Sequence, residues 1–310
     1  MMKTILLLAF GGPRSLDEVE SFLSHLFKGK RLPPEHLEGV KERYRLIGGS
    51  SPLPEITSRQ ALVLEKRLNL KGYSFKSYVG MRYGNPSIGE TLKEIIRNGQ
   101  KEVFAIPMAP FRSRYSTSAY QEELNRSNEV LGNSLEIHFI NGWHSHPLFL
   151  QAVIERIEEG LEQFSREEKK EVHLIFTAHS LPESVAESDP YVQDMKETVT
   201  EVLKKIGPFR WHMAFQSQGL GPERWIGPEV EPVLIELRKV HVKSVLVIPI
   251  GFVSDHIEVL YDIDILYREK AKSLGMVLKR TPSLNDSERF IEALATIVEE
   301  HLREGKESGV

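Results

Sequence analysis

His179 ends the apolar run Leu174-Ile175-Phe176-Thr177-Ala178 and is followed by Ser180-Leu181-Pro182. An imidazole, with an ordinary pKa of about 6.5, serves near neutrality as a base or as a neutral metal ligand. Far along the chain, Ser254-Asp255-His256-Ile257-Glu258 follows a second long apolar run. A carboxylate beside an imidazole is a proton acceptor or a nitrogen–oxygen site for a divalent ion. Both motifs also have plain structural readings. His179 could be a strand-end residue bonded to a nearby carbonyl. Asp255 with Glu258 three residues on has the spacing of a helix-start capping pair, which would make Glu258 structural. Glu258 and Asp262, four apart, share a helix face. That stripe would either lead a cation inward or form an ordinary wet surface, and its next position is the apolar Leu266.

Other polar groups are candidates for anion and flat-ring contacts. Gly48-Gly49-Ser50-Ser51-Pro52 follows Arg43 and Arg45 and offers N–H groups and hydroxyls to a carboxylate or phosphate; a plain loop is the alternative. Arg112, Arg114 and the run Tyr115-Ser116-Thr117-Ser118 precede a helical pattern, and helix N-termini attract anions. Gln216-Ser217 and Trp225 supply an amide, a hydroxyl and an aromatic platform, with core packing the alternative for Trp225. Gly11-Gly12-Pro13 is too short for a dinucleotide fingerprint, and neither G-x-G-x-x-G nor a Walker A loop occurs.

These residues need strands and helices to carry them. Mostly unbroken apolar runs mark strands at residues 4–10, 75–80, 102–107, 135–141, 172–178, 210–215, 244–250 and 276–281, as expected for strands buried on both faces of a parallel sheet. Amphipathic stretches between them predict helices at 16–26, 58–68, 88–98, 118–131, 147–164, 191–206, 229–239, 255–273 and 286–302. The alternation means βαβ units. The two halves echo each other, each opening with an apolar strand that ends in a tight turn. The fold class is therefore α/β with two similar Rossmann-like domains, each a parallel sheet flanked by helices. The expected domains are residues 1–150 and 151–310, joined by the helix at 147–164, with the charged residues 166–171 as a solvated connection. Ligands of open α/β sheets sit beyond the carboxyl ends of the strands, where the candidate residues lie.

Composition narrows the chemistry. The 310 residues contain no cysteine, which excludes disulfides, thiolate nucleophiles, thiolate zinc sites and a cysteine-held iron–sulfur cluster. A formal net charge of −4 gives no footprint for nucleic acid. The apolar run Ile5–Phe10 is shorter than a secretory core, and nothing approaches a membrane span. A cytoplasmic location follows, with peripheral membrane contact left open.

Several segments together resemble the ferrochelatase family. They are Leu8-Ala9-Phe10-Gly11-Gly12-Pro13, the stretch from Arg43 to Leu53, Gly80-Met81-Arg82-Tyr83-Gly84-Asn85-Pro86, Ala178-His179-Ser180-Leu181-Pro182, Phe215-Gln216-Ser217 with Trp225-Ile226-Gly227-Pro228, and Gly251-Phe252-Val253-Ser254-Asp255-His256-Ile257-Glu258. H-S-L-P combined with G-F-x-S-D-H-x-E at this separation is the most specific part. The resemblance implies two chelatase-like domains with a porphyrin cleft between them. It also implies a lyase of haem biosynthesis that inserts ferrous ion into protoporphyrin IX or coproporphyrin III and releases two protons. Fe2+ is then a substrate, and no cofactor is held permanently.

The same resemblance makes His179 and Glu258 the catalytic and metal-handling pair, facing each other across the macrocycle centre. His256 supports Glu258, and Asp262 is a further metal ligand. Phe10, Arg43, Ser51, Tyr120 and Trp225 become porphyrin contacts. Phe10 would pack on the ring without ligating metal. Leu266 stands where many members carry another acidic residue, which puts an outer metal site in doubt. Which of His179 and Glu258 is the base and which delivers metal is not decided by residue type, nor is the choice between monomer and homodimer. The rival readings are a chelatase for cobalt or nickel, a non-enzymatic tetrapyrrole carrier, and a nucleotide-sugar or dinucleotide enzyme on the same fold class.

Overall fold

The computed structural model describes residues 2–30, 32–219 and 223–307. It divides into two compact units, residues 1–149 with 285–310, and residues 150–284. In the first, β1 (Lys3–Ala9), β2 (Phe75–Met81), β3 (Glu102–Pro107) and β4 (Glu136–Phe139) form a parallel sheet in the order β2-β1-β3-β4. In the second, β5 (His173–His179), β6 (Arg210–Gln216), β7 (Ser244–Ile248) and β8 (Val277–Arg280) repeat the arrangement as β6-β5-β7-β8. The faint echo between the halves is thus a repeated topology.

The central strands are the most apolar because helices cover both faces. Ile5 to Leu8 and Leu174 to Phe176 have no exposed surface. In each unit the order reverses beside the first strand, between β1 and β3 and between β5 and β7. Chains leaving the two strands at such a switch point pass to opposite faces and leave a crevice beyond the strand ends. His179 is the last residue of β5, and residues 251–258 follow β7, so both motifs flank the second unit's crevice.

Several helices differ from expectation. Pro34–Leu46 forms a helix that the pattern did not reveal, because Tyr44 is its only buried residue; Pro34 at its first position was the available signal. The last helix, Glu288–Glu307, was expected in the second domain but belongs to the first unit. It pairs with the helix Leu53–Leu70 through Arg67 and Lys71, both on Glu292 at 2.7 and 2.8 Å. A long amphipathic helix after β8 reads as the second repeat's own closing helix, and its periodicity does not say which sheet it covers. The unit boundary falls inside the helix Pro147–Glu162, and the charged connection contains one helical turn, Arg166–Lys169, closed by a Ser165–Glu168 capping box. Among the described residues no helix is long and apolar enough to cross a membrane.

Candidate functional site

β5 delivers His179 to the crevice half-buried, and the backbone fixes its ring. Its Nδ1 lies 2.5 Å from the Ser180 carbonyl oxygen. A carbonyl only accepts, so Nδ1 carries a proton and Nε2 is the ring atom turned outward. The buried Tyr191 hydroxyl donates to the His179 carbonyl (3.1 Å) and steadies the strand end. His256 is anchored in the same way: Nδ1 donates to the Ser254 carbonyl (3.1 Å), which turns its Nε2 toward Glu258.

Glu258 stands between these two rings. Its Oε1 is 3.6 Å from His179 Nε2 and its Oε2 is 3.8 Å from His256 Nε2. Oε2 is buried with no hydrogen-bond partner among the described residues. Burial alone would raise the Glu258 pKa, but the His179 charge, then the His256 ring and the Ser217 hydroxyl, overcome this and hold it below the ordinary carboxylate value. Two imidazole Nε2 atoms and a carboxylate thus converge on one space. That space attracts a proton or a divalent cation.

The capping reading of Glu258 fails. The helix Ile257–Leu260 has His256 as its N-cap, without a side-chain cap, and Asp255 turns away to Arg280 (3.3 Å) and Ser283 (2.7 Å). The expected continuous helix at 255–273 is also interrupted. Residues Asp262–Tyr267 form a π-helix, in which the Tyr261 carbonyl accepts from both Ile265 (3.1 Å) and Leu266 (3.0 Å). Such wide turns are rare and gather at functional sites. The end of β6 grips this segment. The fully buried Gln216 donates from Nε2 to the Glu258 carbonyl (2.7 Å), and Ser217, at φ +60°, donates to Asp262 Oδ2 (2.6 Å). Asp262 therefore joins the site through Ser217. Leu266 is 43% exposed and adds no ligand.

Trp225 also belongs to the cluster. Its half-buried ring lies 6.4 Å from that of His179, tilted by 56°, and an antiparallel bridge ties it to Pro182. Of the expected segment 216–225, residues 220–222 lie outside the described residues.

The expected opposition of His179 and Glu258 across a macrocycle is not found. Both belong to the second unit, and carbon atoms in contact already lie about 3.5–4.0 Å apart. A ring between the two side chains would need roughly twice the observed 3.6 Å. The pair stands side by side and can address only one face of a bound ring.

The remaining candidates lie in the first unit. Phe10 follows β1, is 41% exposed, and meets Tyr83 (4.8 Å) and Phe22 (6.3 Å). Arg82 lies over the Tyr83 ring at 5.0 Å and donates to the Tyr115 carbonyl. Neither Arg82 nor Tyr83 was singled out beforehand; the aromatic-cation pair directly after a strand was the available signal. Gly11 makes the loop possible: at φ +96° a Cβ there would sit 2.2 Å from the Tyr83 carbonyl oxygen. Ser51 is buried and donates its backbone N–H to Pro13 (2.8 Å), and Arg43 is exposed in the last turn of Pro34–Leu46. Tyr120 corrects the expectation of a cleft contact. It is 5% exposed and packs with Leu6, Leu8, Ile88 and Leu92, so its ring face is used by the core; burial raises its pKa well above the usual phenol.

Close packing supports the His179 position. A Cβ on Gly251 would fall 2.6 Å from the Ala178 Cβ and 2.8 Å from its Cα. Gly251→Ala should therefore push back the end of β5. The expected destabilisation is about 1–3 kcal/mol by thermal unfolding, with a fall in turnover beyond that explained by the unfolded fraction. An unchanged melting temperature together with full turnover would show that the strand end tolerates the shift.

Comparison with known proteins was informative at two levels. The family model described as Ferrochelatase matches residues 2–302. Similar curated proteins include the ferrochelatases of Geotalea uraniireducens (40% identical over 312 residues, 95% of this chain and 96% of that one) and Deinococcus radiodurans (37% over 298 residues, 95% and 94%). The coproporphyrin III ferrochelatase of a Geobacillus species is 36% identical over 298 residues, 95% of this chain and 96% of that one. Among solved structures, SirB from Bacillus subtilis with Fe3+ superposes with a TM-score of 0.59 at 13% identity, covering 97% of this chain and 95% of that one. CbiX, a terminal enzyme of sirohaem biosynthesis in denitrifying bacteria, gives 0.52 at 11%, covering 96% and 99%. These structural likenesses establish a shared chelatase fold.

Proposed function

The chain belongs to the ferrochelatase family, and on that premise we propose that it inserts ferrous ion into a free-base porphyrin and releases two protons, a lyase step of haem biosynthesis. A free-base porphyrin is nearly planar, and two central N–H groups block the metal. Insertion needs the pyrroles tipped, the two protons accepted and the ion guided in. Contacts at the ring edge supply the tipping from remote binding energy.

The observation that carries this reading is the convergence of His179 Nε2, His256 Nε2 and the Glu258 carboxylate on one space. In its deprotonated form, half-exposed His179 Nε2 is the atom that meets a pyrrole N–H. The imidazolium so formed lies beside an anionic Glu258, which stabilises the charge. Glu258, with Asp262 one turn away, is the oxygen side that accepts a second proton or receives the ferrous ion. Both groups act from the same ring face. Trp225 bounds that face beside His179.

The test is anaerobic turnover with ferrous ion and, in parallel, protoporphyrin IX and coproporphyrin III, read by the appearance of the iron porphyrin. Iron-dependent conversion of at least one is expected, and the ratio of kcat/KM names the substrate. A nitrogen–oxygen site also accepts cobalt or nickel, so equimolar competition among the three metals is part of the assay. Tight porphyrin binding with no conversion by iron would make the protein a carrier and overturn the proposal; conversion by cobalt or nickel alone would make it a different chelatase.

A further inference from the structure

Arg280, the last residue of β8, is far from the reacting groups in sequence, and its side chain is only 12% exposed. All three of its guanidinium nitrogens are engaged. Nε and one terminal nitrogen donate to the two carboxylate oxygens of Asp264 at 3.0 and 2.9 Å, a fork-to-fork pair. The other terminal nitrogen donates to the Thr281 carbonyl (2.9 Å) and the Ser283 hydroxyl (3.3 Å) and lies 3.3 Å from Asp255 Oδ1. Ser283 closes the network by donating to the same Asp255 oxygen at 2.7 Å.

The two carboxylates bracket the working residues. Asp255 precedes His256 and Glu258. Asp264 lies beyond Asp262, inside the π-helix. Across this path the backbone changes from a short α turn to a wide π turn. That arrangement is locally uncommon and must be over-determined by its surroundings. β6 holds the segment from one side through Gln216 and Ser217. From the other side Arg280 fixes both ends of the path with one rigid, planar group. Only an arginine matches this geometry; a lysine keeps the charge but not the fork.

We infer that Arg280 is a positioning residue for metal insertion: by holding Asp255 and Asp264 together it sets where the Glu258 carboxylate stands relative to His179 Nε2. The inference rests on the assignment of Glu258 made above. A misplacement of about 1 Å caused by a change away from the chemistry can cost up to about a hundredfold in rate, and that loss should fall on turnover because the Arg280 side chain is largely buried and bonded to protein acceptors.

The test compares wild type, Arg280→Lys and Arg280→Ala, at a temperature well below their melting points, with rates corrected to the folded fraction. For Arg280→Lys the expected result is a fall in kcat of about 10- to 100-fold with the KM for porphyrin within about twofold. Guanidinium ion at tens of millimolar should restore a substantial part of kcat to folded Arg280→Ala, whereas methylammonium should not. If neither Arg280 variant folds, Asp255→Asn carries the test: it leaves the fork on Asp264 intact and should lower kcat at unchanged KM. Wild-type kcat per folded molecule in the variants would reduce Arg280 to a stability element and overturn the inference while leaving the assignment of Glu258 standing. Absence of turnover in the wild type itself would overturn both.

Discussion

His179→Ala is expected to lower kcat for ferrous insertion by about 10²–10⁴-fold, the usual range for losing a positioned acid–base group, while the porphyrin dissociation constant stays nearly constant. The reason lies in the ring's anchoring. Its Nδ1 proton is committed to the Ser180 carbonyl, so the function left to the side chain is Nε2 beside Glu258. Deleting the ring removes that acceptor and leaves the neighbouring Trp225 in place. Stopped-flow rates with ferrous ion, together with porphyrin fluorescence quenching, separate the two quantities. Normal turnover in the variant would remove His179 from the chemistry.

Glu258→Gln should cost a comparable factor in kcat, about 10²–10⁴-fold, and should also lower the stability of the fold at neutral pH, where the folded state favours the ionised carboxylate. The wild-type site gathers two imidazole nitrogens around an anion whose Oε2 has no hydrogen-bond partner among the described residues. An amide keeps the shape of the side chain and removes the charge that His179 and His256 favour. The acid response gives a second signature. The folded-state pKa of Glu258 is depressed, so its ionisation stabilises the fold fully above the ordinary carboxylate range, and this contribution is lost as pH falls through the folded value. Wild type should therefore lose stability on acidification that Glu258→Gln does not lose. Parallel acid-unfolding profiles would contradict the charge assignment, and wild-type turnover in the amide variant would contradict the catalytic one.

The strands were the most legible part of this chain because burial on both faces writes itself as continuous apolar runs. Each of the eight expected strands exists, with ends shifted by a residue or two: β5, for instance, runs through His179 rather than stopping at Ala178. The positions of His179 and Glu258 were legible for a related reason, since strand ends at a switch point are where an α/β sheet leaves room. Pairings between distant polar side chains were not legible. Ser217 reaches Asp262 and Arg280 reaches Asp255 and Asp264 across long sequence separations, and no periodicity records such contacts. The π turn was hidden because its residues Asp262-Ile263-Asp264-Ile265-Leu266-Tyr267 suit an α-helix equally well. The capping pair at Asp255 and Glu258 shows the opposite failure: the local signature is present, but Arg280 and Ser283 outcompete the helix for Asp255. Tyr120 and the last helix were misplaced because amphipathicity states that a face is buried without stating against what.

The central claim is that His179 and Glu258 act as a side-by-side pair on a ring already bound. The most direct measurement is a single turnover in which ferrous ion is mixed anaerobically with the preformed enzyme–porphyrin complex, for wild type, His179→Ala and Glu258→Gln. The expected result is rapid formation of the iron porphyrin by wild type, and both variants slower by at least about a hundredfold with the porphyrin still bound. Equal rates in all three, or loss of porphyrin binding in place of loss of rate, would contradict it.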